Sequence, residues 1–90
     1  MASIEIKVTL EPADNTRLAN LCGQFDENLR YLEKNTGVTI GNRGNSFRLS
    51  GFDNQELIKT EKVIKRLYRL TESSVVSTED VHLELRGTDA

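Results

Sequence analysis

An α+β fold is predicted, built as a three-stranded antiparallel sheet with helices packed on one face and a short C-terminal element. Three observations predict it. The N-terminal stretch alternates apolar and polar residues, two further alternating stretches flank a turn rich in glycine and asparagine, and the remaining segments repeat apolar residues at helical spacing. Ninety residues leave room for one core. With 37% hydrophobic and 29% charged residues, the chain is expected to fold rather than remain disordered.

The elements follow in order. In "IEIKVTL", Ile4, Ile6, Val8 and Leu10 share one face and Glu5, Lys7 and Thr9 the other, the period-two pattern of a half-buried strand. Asp14 or Asn15 can cap a short helix carrying Leu18 and Leu21, which Gly23 ends. A second helix takes Phe25, Leu29 and Leu32 at i, i+4 and i+7, with Asp26 and Glu27 in its first turn and Gly37 at its end. Val38 and Ile40, then Phe47 and Leu49, mark two strands joined by "GNRGN", read as a hairpin turn of about four residues. The longest helix spans 54–70, with Asp53 and Glu56 as a capping box and Leu57, Ile64, Leu67 and Tyr68 on one face. After the polar connector "TESSVVS", Ser77 and Asp80 form a second cap signal and favour a short helix. The alternation of Val81, Leu83 and Leu85 also admits a terminal strand.

Composition narrows the chemistry. A net charge of −2 argues against an obligatory polyanion binder but leaves room for a local basic face. One cysteine, Cys22, rules out an internal disulfide and a cysteine-based metal cage, which suits a reducing compartment. Cys22 sits in an apolar helix and is expected in the core; the single His82 is expected to be a packing or surface residue. No H-E-x-x-H and no G-x-x-x-x-G-K-[ST] occurs, so no catalytic role, metal or cofactor is expected of this chain. The N-terminus lacks an apolar run long enough for a signal peptide or membrane helix, so a cytoplasmic chain without membrane attachment is expected.

The stretch "LCGQFDENLRYLEKNTGVTI", Leu21 to Ile40, resembles the KH domain, an RNA-binding fold with the order β-α-α-β-β-α. Gly23 matches the first glycine of the G-x-x-G loop, Leu29 and Leu32 the two apolar helix positions, and Thr36-Gly37-Val38-Thr39-Ile40 the T-G-x-x-I entry to the strand. In KH domains that loop joins the first two helices and offers backbone N–H groups to the sugar-phosphate chain. Here it reads "GQFD", with Asp26 in place of the second glycine. That carboxylate is expected to cap the second helix, competing for its N-terminal donors, and to repel phosphate. The better-formed "GNRG", Gly41 to Gly44, lies between two strands, so its first role is to turn the hairpin on the opposite side of the same groove.

A longer resemblance is carried by "LEPADN", by "LCGQFDEN" and by the "RGNSF" hairpin: the chain is similar to the N-terminal region of PhoH-like proteins, the phosphate-starvation-inducible ATPases. This resemblance implies a KH-like module over 1–71, followed by a connector and C-terminal helix over 72–90 that lead to a downstream domain. ATP and Mg²⁺ are expected only in that domain. The partners it implies are single-stranded RNA, weakly held, the parent's own ATPase domain, and an endoribonuclease, in bacterial RNA metabolism. The implied groove uses Gly23, Gln24, Phe25, Asn28 and Arg30 on one side and Asn42 and Arg43 on the other. The alternative is a protein-interaction or oligomerisation module with a degenerate loop. Its candidate surface is the arc of Lys59, Lys62, Lys65, Arg66 and Arg69, spanning roughly 120° of the long helix at about 100° per residue, which also reads as a solvated face.

Overall fold

The computed structural model describes residues 3–89. Strand β1 (Ile4–Thr9) leads to helix α1 (Asn15–Cys22), a single 3₁₀ turn (Gln24–Asp26) and helix α2 (Glu27–Thr36). Strands β2 (Thr39–Arg43) and β3 (Ser46–Gly51) form a hairpin, followed by helices α3 (Asn54–Leu70) and α4 (Thr78–Asp89). The sheet is antiparallel throughout, in the order β1-β3-β2, so the predicted α+β architecture holds.

Register assigns each side chain to a face. Ile6, Leu49 and Ile40 lie opposite one another across the three strands, as do Val8, Phe47 and Asn42. The first row and the second row's Val8 and Phe47 face the helices; Glu5, Lys7 and Arg48 stand on the open side. Beneath the inner face lies one core, in which Leu21, Leu32, Phe47, Leu49, Leu57, Ile64 and Leu67 are fully enclosed. Val76, Val81 and Leu85 join the same core from the connector and α4. The burial of Val81 and Leu85, one helical turn apart, with Leu83 exposed, resolves the C-terminal element as a helix. The outer limits of the 1–71 and 72–90 division, residues 1–2 and 90, lie outside the described residues.

Local chemistry explains the boundaries. The Asp14 carboxylate caps α1 by accepting from the N–H groups of Thr16 and Arg17. Asp53 caps α3 through the Gln55 N–H alone; its expected reciprocal partner Glu56 instead gives up only its carbonyl, to the Thr60 hydroxyl. The Ser77–Asp80 box does form in both directions. Thr36 donates its hydroxyl to the Leu32 carbonyl and accepts from the Val38 N–H, while Gly37 adopts φ 73°, so α2 turns directly into β2. The hairpin turn is shorter than predicted. Arg43 and Ser46 still pair, leaving Gly44 and Asn45 as the turn, with Gly44 at φ 59°. Asn45 ties it to the end of β1 by exchanging bonds with Leu10.

The most consequential tie is Asn28. Its side-chain amide is fully buried and donates to the carbonyls of Leu21, 3.0 Å, and Val76, 3.1 Å. One side chain thereby joins the end of α1, the start of α2 and the segment that leads into α4. Asn28→Ala leaves two buried carbonyls unpaired and is expected to lower unfolding free energy by roughly 2–3 kcal/mol in urea denaturation. Asn28→Asp is expected to lose more at neutral pH, because a buried carboxylate then faces two carbonyl oxygens.

Candidate functional site

The turn between α1 and α2 is shaped by packing from within. Gly23 takes φ 81°, ψ 176°, and a Cβ built on it would stand 2.9 Å from Asn28 Nδ2 and 3.0 Å from Glu27 Cγ. Only glycine suits both that backbone and that space. Phe25 (φ 55°, ψ 32°) and Asp26 (φ 58°, ψ 28°) follow, two consecutive left-handed residues with side chains. Each costs on the order of 1 kcal/mol relative to glycine in that region. Position 26 therefore keeps a backbone suited to the glycine of a G-x-x-G loop although the residue is aspartate.

That geometry corrects one expectation. Asp26 makes no side-chain cap on α2. An N-cap side chain reaches the next N–H groups from extended backbone, and left-handed backbone aims it elsewhere. The Asp26 carboxylate opposes phosphate through its charge, not by occupying helix donors.

Between this turn and the β2–β3 hairpin runs a cleft in two sections. The first, about 330 Å³, lies between Leu18, Cys22, Gly23 and Asp26 on one wall and Asn42 and Gly44 on the other. The second, about 200 Å³, continues past Asp26 and Asn42 along Leu29, Arg30, Glu33 and Ile40. Gly23 and Asp26 of "GQFD" thus face Asn42 and Gly44 of "GNRG" across it.

The predicted residues divide. Gly23, Arg30 and Asn42 line the cleft. Asn42 does so because its pairing with Phe47 places it on the helix-bearing side of an edge strand. Arg43, one residue on, pairs with Ser46 and falls in the open-face row with Thr9. It is not a cleft residue, because side chains alternate along a strand. Asn28 is not one either, since its amide is enclosed and engaged beneath the turn. Gln24 and Phe25 occupy the turn without lining the cleft, and Phe25 is 86% exposed. Arg30 Nε donates to the Phe25 carbonyl at 3.3 Å and so braces the turn it was expected to accompany.

Sequence reasoning missed Leu18 and Glu33. Glu33 could have been found, since Asp26, Arg30 and Glu33 follow at i, i+4 and i+7 along one helical face. Its carboxylate accepts from the Ile40 N–H at 2.8 Å, which ties α2 to β2 across the floor. The cleft therefore presents two carboxylates and one guanidinium beside the apolar side chains of Leu18, Leu29 and Ile40. It can accept a narrow, partly apolar chain, but its electrostatics disfavour a tightly held polyanion.

The basic arc of α3 is not a continuous free stripe. Lys65 pairs with Glu61 at 3.2 Å, and Arg66 reaches Glu84 of α4 at 3.7 Å. Lys59 is half-buried, and Lys62 and Arg69 are exposed. His82 meets the Tyr31 hydroxyl through Nδ1 at 3.0 Å, at the α2–α4 contact. Among the described residues no group of three or more His, Cys, Asp or Glu side chains could hold a metal ion, and no helix is long and apolar enough to cross a membrane.

No protein-family model matches the chain. Its fold is similar to that of a protein of unknown function from Aeropyrum pernix, known from a crystal structure, with a TM-score of 0.73 and 15% identity. The alignment covers 96% of this chain and 46% of that one, so the chain spans about half the length of its structural neighbour. At this identity the likeness is one of fold.

Cys22 borders the cleft but is built into the core. Burial, and then the nearby Asp26 carboxylate, push its thiol up from 9.0 to about 11. The native thiol is therefore protonated at neutral pH and ill suited to nucleophilic work. A group that holds its proton longer when folded contributes stability in full below pH 9, and that contribution fades as pH rises toward 11. At pH 8, an aromatic disulfide reagent should react with native Cys22 about 100-fold more slowly than with the urea-unfolded chain, following thiolate fraction.

Proposed function

We propose that this chain is a non-catalytic RNA-positioning module, holding single-stranded RNA weakly in the cleft between the 3₁₀ turn and the hairpin. In this reading it corresponds to the KH-like module that precedes the ATP-binding domain of PhoH-like proteins and works in the cytoplasm. ATP and Mg²⁺ belong to that domain, and an endoribonuclease is the protein partner the resemblance implies. The observation that carries the reading is the cleft itself. A glycine-initiated turn between two helices and an edge strand flank an open cleft bordered by Leu18, Cys22, Leu29 and Ile40, a surface on which unpaired bases could lie. The left-handed backbone retained at Asp26 supports it further.

Weakness is part of the reading. Asp26 and Glu33 flank the cleft, and among the described residues Arg30 alone answers them and no aromatic ring lines it for stacking. A protein-contact role is the second reading, favoured by those same carboxylates, which suit a basic peptide better than a phosphate chain.

Fluorescence anisotropy with a labelled single-stranded oligo(U), titrated across salt, separates the two. RNA positioning predicts a Kd at or above roughly 1 μM at physiological salt, weakening as salt rises. Asp26→Gly should tighten binding about three- to fivefold by removing a like charge, and Arg30→Glu should weaken it by a similar factor. Arg43→Glu, on the other face, should act less than Arg30→Glu. Affinity indifferent to both Asp26→Gly and Arg30→Glu would remove RNA from the cleft and leave the protein-contact reading.

A further inference from the structure

A second concavity of about 480 Å³, larger than either section of the cleft, shares no lining residue with it. Three cations converge there: Arg17 from α1, and Lys65 and Arg69, one turn apart on α3. Arg17 is fixed in place before any ligand arrives. Its guanidinium carbon stands 4.3 Å from the centre of the Tyr68 ring, Nε donates to Thr71 Oγ1 at 3.0 Å, and one terminal nitrogen donates to the Tyr68 carbonyl at 3.0 Å. The ring is itself anchored, because the Tyr68 hydroxyl donates to the Pro12 carbonyl and accepts from the Asp14 N–H.

The charges are incompletely answered. A guanidinium has five N–H donors, and Arg17 commits two of them to these acceptors. Among the described residues, no carboxylate oxygen lies within 4.0 Å of the Arg17 or Arg69 side-chain nitrogens. Lys65 has only the exposed i,i+4 pair with Glu61, which a competing anion displaces at little cost. Glu11 and Glu72 border the concavity beyond pairing distance, so among the described residues Glu61 answers Lys65 while Arg17 and Arg69 carry no ion pair.

We infer that the Arg17–Lys65–Arg69 concavity binds the phosphate group of an organic phosphate ester. A preset arginine fork and two further cations suit the several oxygens of a phosphate better than a single carboxylate. The concavity exceeds one phosphate group, and Leu10, Pro12 and Tyr68 line the remainder, where the organic part of the ester would lie. The ester is either a small phosphorylated molecule or the backbone of a nucleic-acid strand.

The test is an NMR titration of the whole chain, reading the Arg17 and Arg69 Nε–Hε signals and the α3 amides. Sodium phosphate, uridine 5′-monophosphate and a single-stranded oligo(U) are added separately, with sodium chloride holding ionic strength constant. Saturable shifts at Arg17, Lys65 and Arg69 are expected, with Kd on the order of 1–10 mM for inorganic phosphate. Replacing the two exposed residues together, Lys65→Gln with Arg69→Gln, should weaken phosphate binding at least about fivefold without unfolding the protein, since each contributes a full charge. Lys62→Gln, on the same helix outside the concavity, should leave it unchanged. If uridine monophosphate saturates these residues more tightly than phosphate while oligo(U) leaves them unmoved, the ligand is a small ester; if oligo(U) shifts them and phosphate reverses the shift, it is a strand. Shifts that grow linearly without saturation, or equal losses in Lys62→Gln, would overturn the assignment.

Discussion

The buried amide of Asn28 is the constraint on which the rest of the site depends. Two carbonyls that would otherwise be unpaired, those of Leu21 and Val76, converge on its nitrogen. That convergence holds the end of α1, the start of α2 and the approach to α4 in one arrangement. It also explains the glycine above it, since a Cβ at position 23 would intrude on the same nitrogen. With Gly23 at φ 81°, the chain can only leave α1 by a tight excursion, and the 3₁₀ turn with its two left-handed residues completes it. The cleft is the surface consequence of a buried hydrogen-bond requirement.

The opposite wall follows from a different rule. Asn42 faces the helices and Arg43 faces away because a strand alternates, and the register with Phe47 and Ser46 fixes which is which. The cationic residue that motif reading placed in the groove is thus on the open side, while a neutral amide borders the cleft. Together with the uncapped Asp26 and the floor-bracing Glu33, this gives a cleft with two carboxylates against one guanidinium. Three cations converge elsewhere, where Arg17 is held against Tyr68 beside Lys65 and Arg69.

Most of the fold was legible because its signals are local. The period-two run from Ile4, the caps at Asp14, Asp53 and Ser77, and the left-handed Gly37 each act within four residues of themselves. The hairpin turn was drawn too long because glycine and asparagine are spread over five residues, and composition does not reveal that Arg43 and Ser46 still pair. Asp26 looked like a cap by residue type; its backbone conformation, imposed by Gly23 and Asn28, prevents it. Asn28 itself looked like a groove contact. Its burial depends on Val76, 48 residues away, and no pattern within α2 announces such a partner. Functional placement failed where a residue's role is decided by a distant contact.

If the 3₁₀ turn and the hairpin act as two walls of one strand-binding cleft, a single ligand must perturb both. The most direct test is a ¹H–¹⁵N correlation spectrum recorded while single-stranded oligo(U) is added at low salt. The amides of Gly23 to Asp26 and of Asn42 to Gly44 are expected to shift together along one binding curve. Shifts confined to one of these segments, or to Lys7 and Arg48 on the open face of the sheet, would contradict it.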